Sequence, residues 1–243
     1  MSRIAMNIGA RIVAGVALLV FGGCSTAPKV DVTAQTKQAV KRIAIVQAPE
    51  PQEYMMMPAR NPAGAALYMF GAVGGAILGG IHASTQKTAT QKFTQAVAPS
   101  KPDMQATFAN RIAAGLKAKG YDVAVVAAPP RLSERDDFDF SKLPGAYDGY
   151  LVANFNGGYA VSGKRAAPRL DVGVSLSDRT GATKYFSERY VYGDVPARGV
   201  TVVKAEPRFV FESEEAVLRN SATAAEALRA GAAKIADEVA ARF

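Results

Sequence analysis

The chain has 243 residues, 49% hydrophobic and 21% charged, with a formal net charge of +8. That is apolar enough to bury a core, which excludes a disordered chain, and the length suits one elaborated domain or two small ones. One cysteine, Cys24, excludes an internal disulfide, and one histidine, His82, excludes a multi-histidine metal site.

Residues 1–23 carry Arg3 and Arg11, no acidic residue, and an apolar run from Ile12 to Phe21. A positive start followed by a short apolar stretch reads as a secretory signal. Ten residues reach only about 15 Å as a helix, too short for a bilayer core that needs about 20 residues. Phe21-Gly22-Gly23-Cys24 follows and resembles a bacterial lipobox, with Phe21 where that motif usually has Leu. Gly22 and Gly23 let an extended backbone approach a peptidase beside a bulky lipid. The resemblance implies cleavage before Cys24 and attachment of acyl chains such as palmitate to it, two or more of which give stable anchoring. By the enterobacterial sorting rule, Ser25 implies the outer membrane, facing the periplasm, with the inner membrane as the alternative in other bacteria.

Cleavage would leave 220 residues with 27 basic and 21 acidic side chains, a formal +6. No compact Lys/Arg block is present, so anionic lipid head groups or cell-wall polymers are nearer partners than nucleic acid. Residues 24–41 are small, polar and charged and read as a lipidated tether, leaving 42–243 as a periplasmic α/β domain with an insert over 50–100.

Arg42 to Ala48 is short, β-branched and apolar, a strand buried on both faces. A helix is predicted between Pro102 and Lys119, with Ser100 or Asp103 as its cap, Phe108, Ile112 and Leu116 as its core stripe, and Gly120 as its stop. Asp122–Ala127 and Gly149–Asn156 read as strands two and three, with Tyr159–Lys164 as a candidate short strand. Arg169–Asp178 alternates Leu170, Val172, Val174 and Leu176 inward with Asp171, Gly173, Ser175 and Ser177 outward. It returns through Asp178-Arg179-Thr180-Gly181 into Thr183–Tyr192, an antiparallel hairpin. Glu214–Phe243 predicts one long C-terminal helix or two, with Leu228, Ala232, Ile235 and Val239 on one face. The fold class is therefore α/β (α+β): a mixed sheet with packed helices, a long C-terminal helix and a glycine-rich hydrophobic insert after the first strand.

The lipidated cysteine, the strand Arg42-Ile43-Ala44-Ile45-Val46, the helix end Leu116-Lys117-Ala118-Lys119-Gly120-Tyr121-Asp122-Val123, Tyr147-Asp148-Gly149-Tyr150-Leu151-Val152 and the turn Leu176-Ser177-Asp178-Arg179-Thr180-Gly181 form a recognisable series. It resembles the periplasmic domains of the curli-secretion and penicillin-binding-protein-activator lipoproteins over residues 40 to 240. That resemblance rests on hydrophobic and turn pattern. It implies an assembly or secretion component without catalytic residues.

Ala63–Ala83 is 21 residues with no formal charge when His82 is neutral. As a helix it would be about 31 Å long, and Gly71, Gly75 and Gly79 at four-residue spacing would form a glycine-zipper groove for a second helix. In water the interior glycines, at about 1 kcal/mol each, oppose a helix. Lipid or a tight partner would have to compensate. The expected uses are membrane contact or homo-oligomer contact through Phe70, Met69 and Ile77. A true membrane span and a glycine-rich loop over the domain's own core are the alternatives. Met55, Met56 and Met57 beside it offer adaptable packing or a binding surface.

Little else carries chemistry. His82 reads as the polar end of a helix. Ser84-Thr85-Gln86-Lys87 matches Ser-x-x-Lys without the companion motifs of an acyl-enzyme. Asp136, Asp137 and Asp139 lack the glycine and distal glutamate of a calcium loop and read as a solvated face. Tyr147, Tyr150, Tyr159, Tyr185, Tyr190 and Tyr192 fit strand packing, with a polymer-binding face as the alternative. The sequence thus leads to the expectation of a lipid-anchored, self-associating component of an envelope machine, with an envelope protein partner and no catalytic residue, metal or cofactor. A binding module for cell-wall polymer or small ligand is the runner-up.

Overall fold

The computed structural model describes residues 29–58, 80–131, 138–194 and 199–243. In chain order these form α1 (Ala34–Ala39), β1 (Arg42–Gln47), β2 (Met55–Pro58), α2 (Gly80–Val97), α3 (Met104–Ala118), β3 (Asp122–Ala127), β4 (Gly149–Ser162), β5 (Arg165–Ser177), β6 (Lys184–Tyr192), β7 (Thr201–Val203), α4 (Glu214–Arg219) and α5 (Ser221–Arg242). The strands make one mixed sheet in the order β3-β1-β4-β5-β6-β7, with β2 also against β4. The expected fold class is therefore the observed one.

β1 runs parallel to both β3 and β4. Its alternate residues serve two cores. Ile43 and Ile45 face the main core, built from α3, α5 and the inward residues of β4–β6, while Ala44 and Val46 meet Phe138, Phe140, Leu143, Tyr150 and Val152 on the other side. Phe140 stacks on Tyr150 with ring centroids 4.9 Å apart. On the main-core side, Phe108, Ile112 and Leu116 of α3 and Leu228, Ala232, Ile235 and Val239 of α5 are buried, as their spacing predicts. Gly231 brings α5 close to the sheet: a Cβ there would stand 2.6 Å from both Leu170 Cδ1 and Tyr192 Cδ1.

Gly120, at φ +87°, ends α3 with a double closure. Its N–H bonds Lys117 O at 2.9 Å, and Tyr121 N–H bonds Leu116 O at 3.2 Å. The C-terminal segment takes the two-helix alternative, breaking at Asn220, whose Nδ2 donates to Ala216 O at 2.7 Å.

Four features differ from expectation. The candidate strand Tyr159–Lys164 is not separate: β4 is one strand of 14 residues, with β1 against its first half and β2 against its second. Neither Ser100 nor Asp103 caps α3; Asp103 sits at the cap position with φ 47° and makes no side-chain cap bond. A carboxylate remote in sequence, that of Glu50, accepts from Gln105 N at 2.5 Å instead. Order also begins before Lys41, because Val30 bridges Ser187 on the edge of β6 with N–O distances of 2.8 and 2.9 Å and α1 follows. Lastly, Gly80–Ala83, grouped with the apolar insert by composition, opens α2, whose Phe93 and Val97 lie in the main core.

Candidate functional site

Cys24 and the candidate self-association residues Phe70, Gly71, Gly75, Ile77 and Gly79 lie outside the described residues. What the structure fixes is where the chain leaves the domain toward each of them. β2 is held by β4 on one side and by α2 on the other. Tyr54 N–H donates to Thr94 Oγ1 at 2.9 Å and Met56 N–H to Thr90 Oγ1 at 3.2 Å. Four helical residues rise about 6 Å and two strand residues about 6.6 Å, so an i, i+4 pair of threonines matches an i, i+2 pair of strand amides. Pro58, which has no N–H, ends that ladder.

The order of these bonds makes α2 antiparallel to β2. Residues 59–79 therefore leave from Pro58 and return at Gly80 at one end of the sheet, the end of the β4–β5 hairpin. Gly158 makes the β2 contact possible, since a Cβ there would stand 1.8 Å from Met55 O.

The chain arrives from Cys24 at a second place. Glu188 lies on the helix-facing side of β6 between Phe186 and Tyr190, with only 3% of its side chain exposed. It accepts from Thr201 Oγ1 at 2.6 Å and Tyr190 Oη at 2.8 Å, and pairs with Lys29 Nζ at 3.2 Å and Arg242 Nη2 at 3.4 Å. Burial works against its charge, but the Thr201 and Tyr190 hydroxyls and the two cations prevail and hold the carboxyl below the ordinary glutamate range. Hydrogen bonds to Asp31 and then Glu188 raise the Lys29 ammonium above the ordinary lysine value. The cluster ties the N-terminal segment, β6, β7 and the end of α5 together. Glu188 was legible as an anomaly, a carboxylate at an inward position of an alternating strand; Lys29 carried no such signal.

A third polar locus lies where β1 ends and β2 has not begun along β4. Gln105, 4% exposed, donates from Nε2 to Ala153 O at 3.3 Å and fills the gap. Glu50 occupies the N-terminus of α3 beside it, as an anion does at a helix start. Its Oε2 is buried without a hydrogen-bond partner. Desolvation pushes the Glu50 carboxyl above the ordinary range despite the backbone donors, and burial followed by Glu50 and Asp103 pushes Tyr54 up to about 12. Nearby, Gln47–Pro49 and Val125–Ala128 line a shallow cleft of about 390 Å³ at the carboxyl ends of β1 and β3.

The other candidates resolve simply. Tyr150, Tyr159, Tyr190 and Tyr192 are fully buried, so the alternative of a tyrosine-lined polymer face fails for these four. Asp171, expected outward, does lie on the outer face but is 8% exposed, because Arg189 grips it at 2.5 and 2.7 Å. Asp139 accepts from Ser141 N at 3.1 Å and starts a short turn, while Asp136 and Asp137 lie outside the described residues. Ser84–Lys87 falls within α2. Among the described residues no group of His, Cys, Asp or Glu is placed to hold a metal ion, and no helix is long and apolar enough to cross a membrane.

The fold thus defines a class, a two-layer mixed α/β domain with an N-terminal segment docked on its β6 edge. No family model, curated protein or solved structure matches the chain.

Proposed function

We infer that this chain is a lipid-anchored envelope protein, acylated at Cys24 and acting without catalysis as a scaffold, activator or export component. The reading draws on the signal-like start, on Cys24 as the one cysteine, and on the resemblance in pattern to the curli-secretion and penicillin-binding-protein-activator lipoproteins. The observation that carries it is the docking of Lys29 and Val30 on β6, only five residues after Cys24. An acyl group there holds the domain itself at a membrane, which suits a component working on neighbours in the same surface. Self-association through Gly71, Gly75 and Gly79 belongs to the same proposal, as does the outer membrane as its site.

The test is a pair of measurements on protein made from the full chain. The N-terminal peptide should carry the mass of a multiply acylated cysteine, and Cys24→Ala should move the protein from the membrane to the soluble fraction. An unmodified N-terminus with unchanged membrane association refutes the reading. Light scattering of the detergent-solubilised protein with and without residues 62–84 tests assembly; equal size for both refutes that use of the insert.

A second reading is favoured by the cleft at the carboxyl ends of β1 and β3, the place where open α/β sheets receive ligands. In that case the domain binds a small ligand or cell-wall fragment. Perturbation of the Val125–Ala128 amide signals on titration with muropeptides would support it.

A further inference from the structure

We propose that the free edge of β3 is a self-association surface: two copies of this domain pair their β3 strands antiparallel about a two-fold axis at Val125, joining the two sheets into one. The surface lies on the folded domain and depends neither on Cys24 nor on the glycine-rich segment, so it goes beyond the reading above.

β3 is an outer strand of the sheet, bonded to β1 alone among the described residues. Its hydrogen bonds alternate. Asp122 N–H donates to Lys41 O at 2.9 Å and Ala128 N–H to Gln47 O at 3.1 Å, and in a strand the N–H and C=O of one residue point to one side while those of its neighbours point to the other. Asp122, Ala124, Val126 and Ala128 therefore turn their backbone groups to β1, and Val123, Val125 and Ala127 turn theirs outward. Val125 and Ala127 are exposed, and Val125, at 39%, is one of two large apolar side chains so exposed among the described residues.

Nothing in β3 blunts this edge. Edge strands usually carry a lysine, a proline or a bulge, or are very short. Asp122–Ala127 has six residues in unbroken register with β1 and none of those devices. The opposite side of the sheet is treated differently: Val30 bridges Ser187, β7 covers Tyr190–Tyr192, and β7 itself has three residues. Among the described residues, the chain covers one side with its own segments and leaves the other as an apolar template.

The occupant that fits is a second β3. Antiparallel pairing with Val125 opposite Val125 of the second copy sets Val123 opposite Ala127, so all the outward residues of both strands enter hydrogen-bonded pairs, each exchanging both N–H···O bonds. Ala124 then lies opposite Val126 on the other face, and Asp122 opposite Ala128. Every other pair is apolar on both sides, and no like charges face each other within the strands. Sliding the second copy by two residues one way brings Val123 opposite Pro129, which has no N–H to give. Sliding it the other way brings Ala127 opposite Tyr121, whose N–H is already taken by Leu116 O at 3.2 Å. Pairing about a two-fold axis closes on itself, giving a dimer rather than a fibre. The contact is short and falls among weak interfaces, below about 1,200 Å², so the dimer belongs to concentrated protein.

The test uses the full chain in detergent at high concentration, read by light scattering and by residue-resolved amide exchange. Val125→Lys and Val125→Glu each set like charges face to face at the axis and should lower the mass to half; mixed in equal amounts they set opposite charges face to face and should restore it. At a total concentration about ten times the dissociation constant, about a fifth of the edges stay open, so the amides of Val123 and Ala127 should exchange about fivefold slower in wild type and in the mixture than in either variant alone. The amides of Ala124 and Val126, bonded to β1, should not differ, and those of Leu170–Leu176 in β5 should show both variants folded. Dilution of the wild type, which involves no substitution, should speed exchange at Val123 and Ala127. A wild-type mass of one chain at every concentration, or a mass unchanged in both variants, overturns the proposal. So does a mixture that stays dissociated, because residue 125 then does not face its own copy.

Discussion

Replacing Thr90 and Thr94 together by valine keeps volume and β-branching but removes the two oxygens that accept the outer amides of β2. Met56 N–H is buried, and leaving such a donor without a partner costs about 1–3 kcal/mol; the Tyr54 bond is partly buried and contributes about 1 kcal/mol. The pair should therefore cost about 2–4 kcal/mol, concentrated in β2 and α2 because those elements alone share the bonds. At 1.4 kcal/mol per decade, amide exchange at Tyr54–Met57 should accelerate about 30- to 700-fold. Hydrogen exchange read residue by residue measures this against the amides of Leu170–Leu176 in β5, which should change far less. Thr90→Ser with Thr94→Ser keeps the hydroxyls and should restore most of the protection. Unchanged exchange in β2 would show that the hydroxyls do not hold the edge. An equal acceleration in β5 would show that β2 and α2 do not open as a unit, and would remove the frame from which both ends of residues 59–79 are placed.

Two glutamates should respond to pH with opposite signs. Glu188 is held below its ordinary 4.5, so its stabilisation is complete above the unfolded-state value and fades as pH falls through the lower folded one. Thermal melts should show wild type gaining on Glu188→Gln as pH rises from about 3 to 5 and no further change above that. Glu50 is raised by burial, so ionising it costs stability, and wild type should lose ground to Glu50→Gln as pH rises from about 4.5 to 7. Parallel curves for either pair refute the assignment. Among glycines, Gly231→Ala crowds side-chain carbons and should cost about 1–3 kcal/mol, measurable by urea unfolding. Gly158→Ala meets backbone at 1.8 Å and should cost more, releasing β2; a smaller effect than at Gly231 would contradict the close approach.

The elements readable in advance were those whose local pattern and final environment agree. β1 and β3 are runs of Val, Ile and Ala at strand length, α3 repeats apolar residues every four positions and stops at a glycine, and the β5–β6 hairpin alternates around an Asp-to-Gly turn. β2 and α2 were not readable because their reasons for existing are tertiary. Met55-Met56-Met57-Pro58 has weak strand character, and it is a strand because β4 offers Gly158 beneath it and α2 offers two hydroxyls beside it. Residues 84–98 look merely polar because much of their useful face is threonine rather than leucine: Thr90 and Thr94 serve as hydrogen-bond partners while Phe93 and Val97 supply the core contact. The cap of α3 shows the same limit, since Glu50 is 55 residues from the amide it accepts and no local rule could pair them.

The docking of the segment before Lys41 was illegible in the sequence for a related reason. A short polar run is a tether only when nothing on the domain receives it. Here β6 offers an open edge at Ser187 and a buried carboxylate at Glu188, which Lys29 and Arg242 neutralise from opposite ends of the chain. With Lys29 removed, Glu188 keeps Arg242 and its two hydroxyl donors but loses one of the two cations that balance its charge. Undocking Lys29 is therefore opposed by Glu188 itself, and that is what shortens the reach of Cys24 from the 17 residues separating it from Lys41 to the five separating it from Lys29.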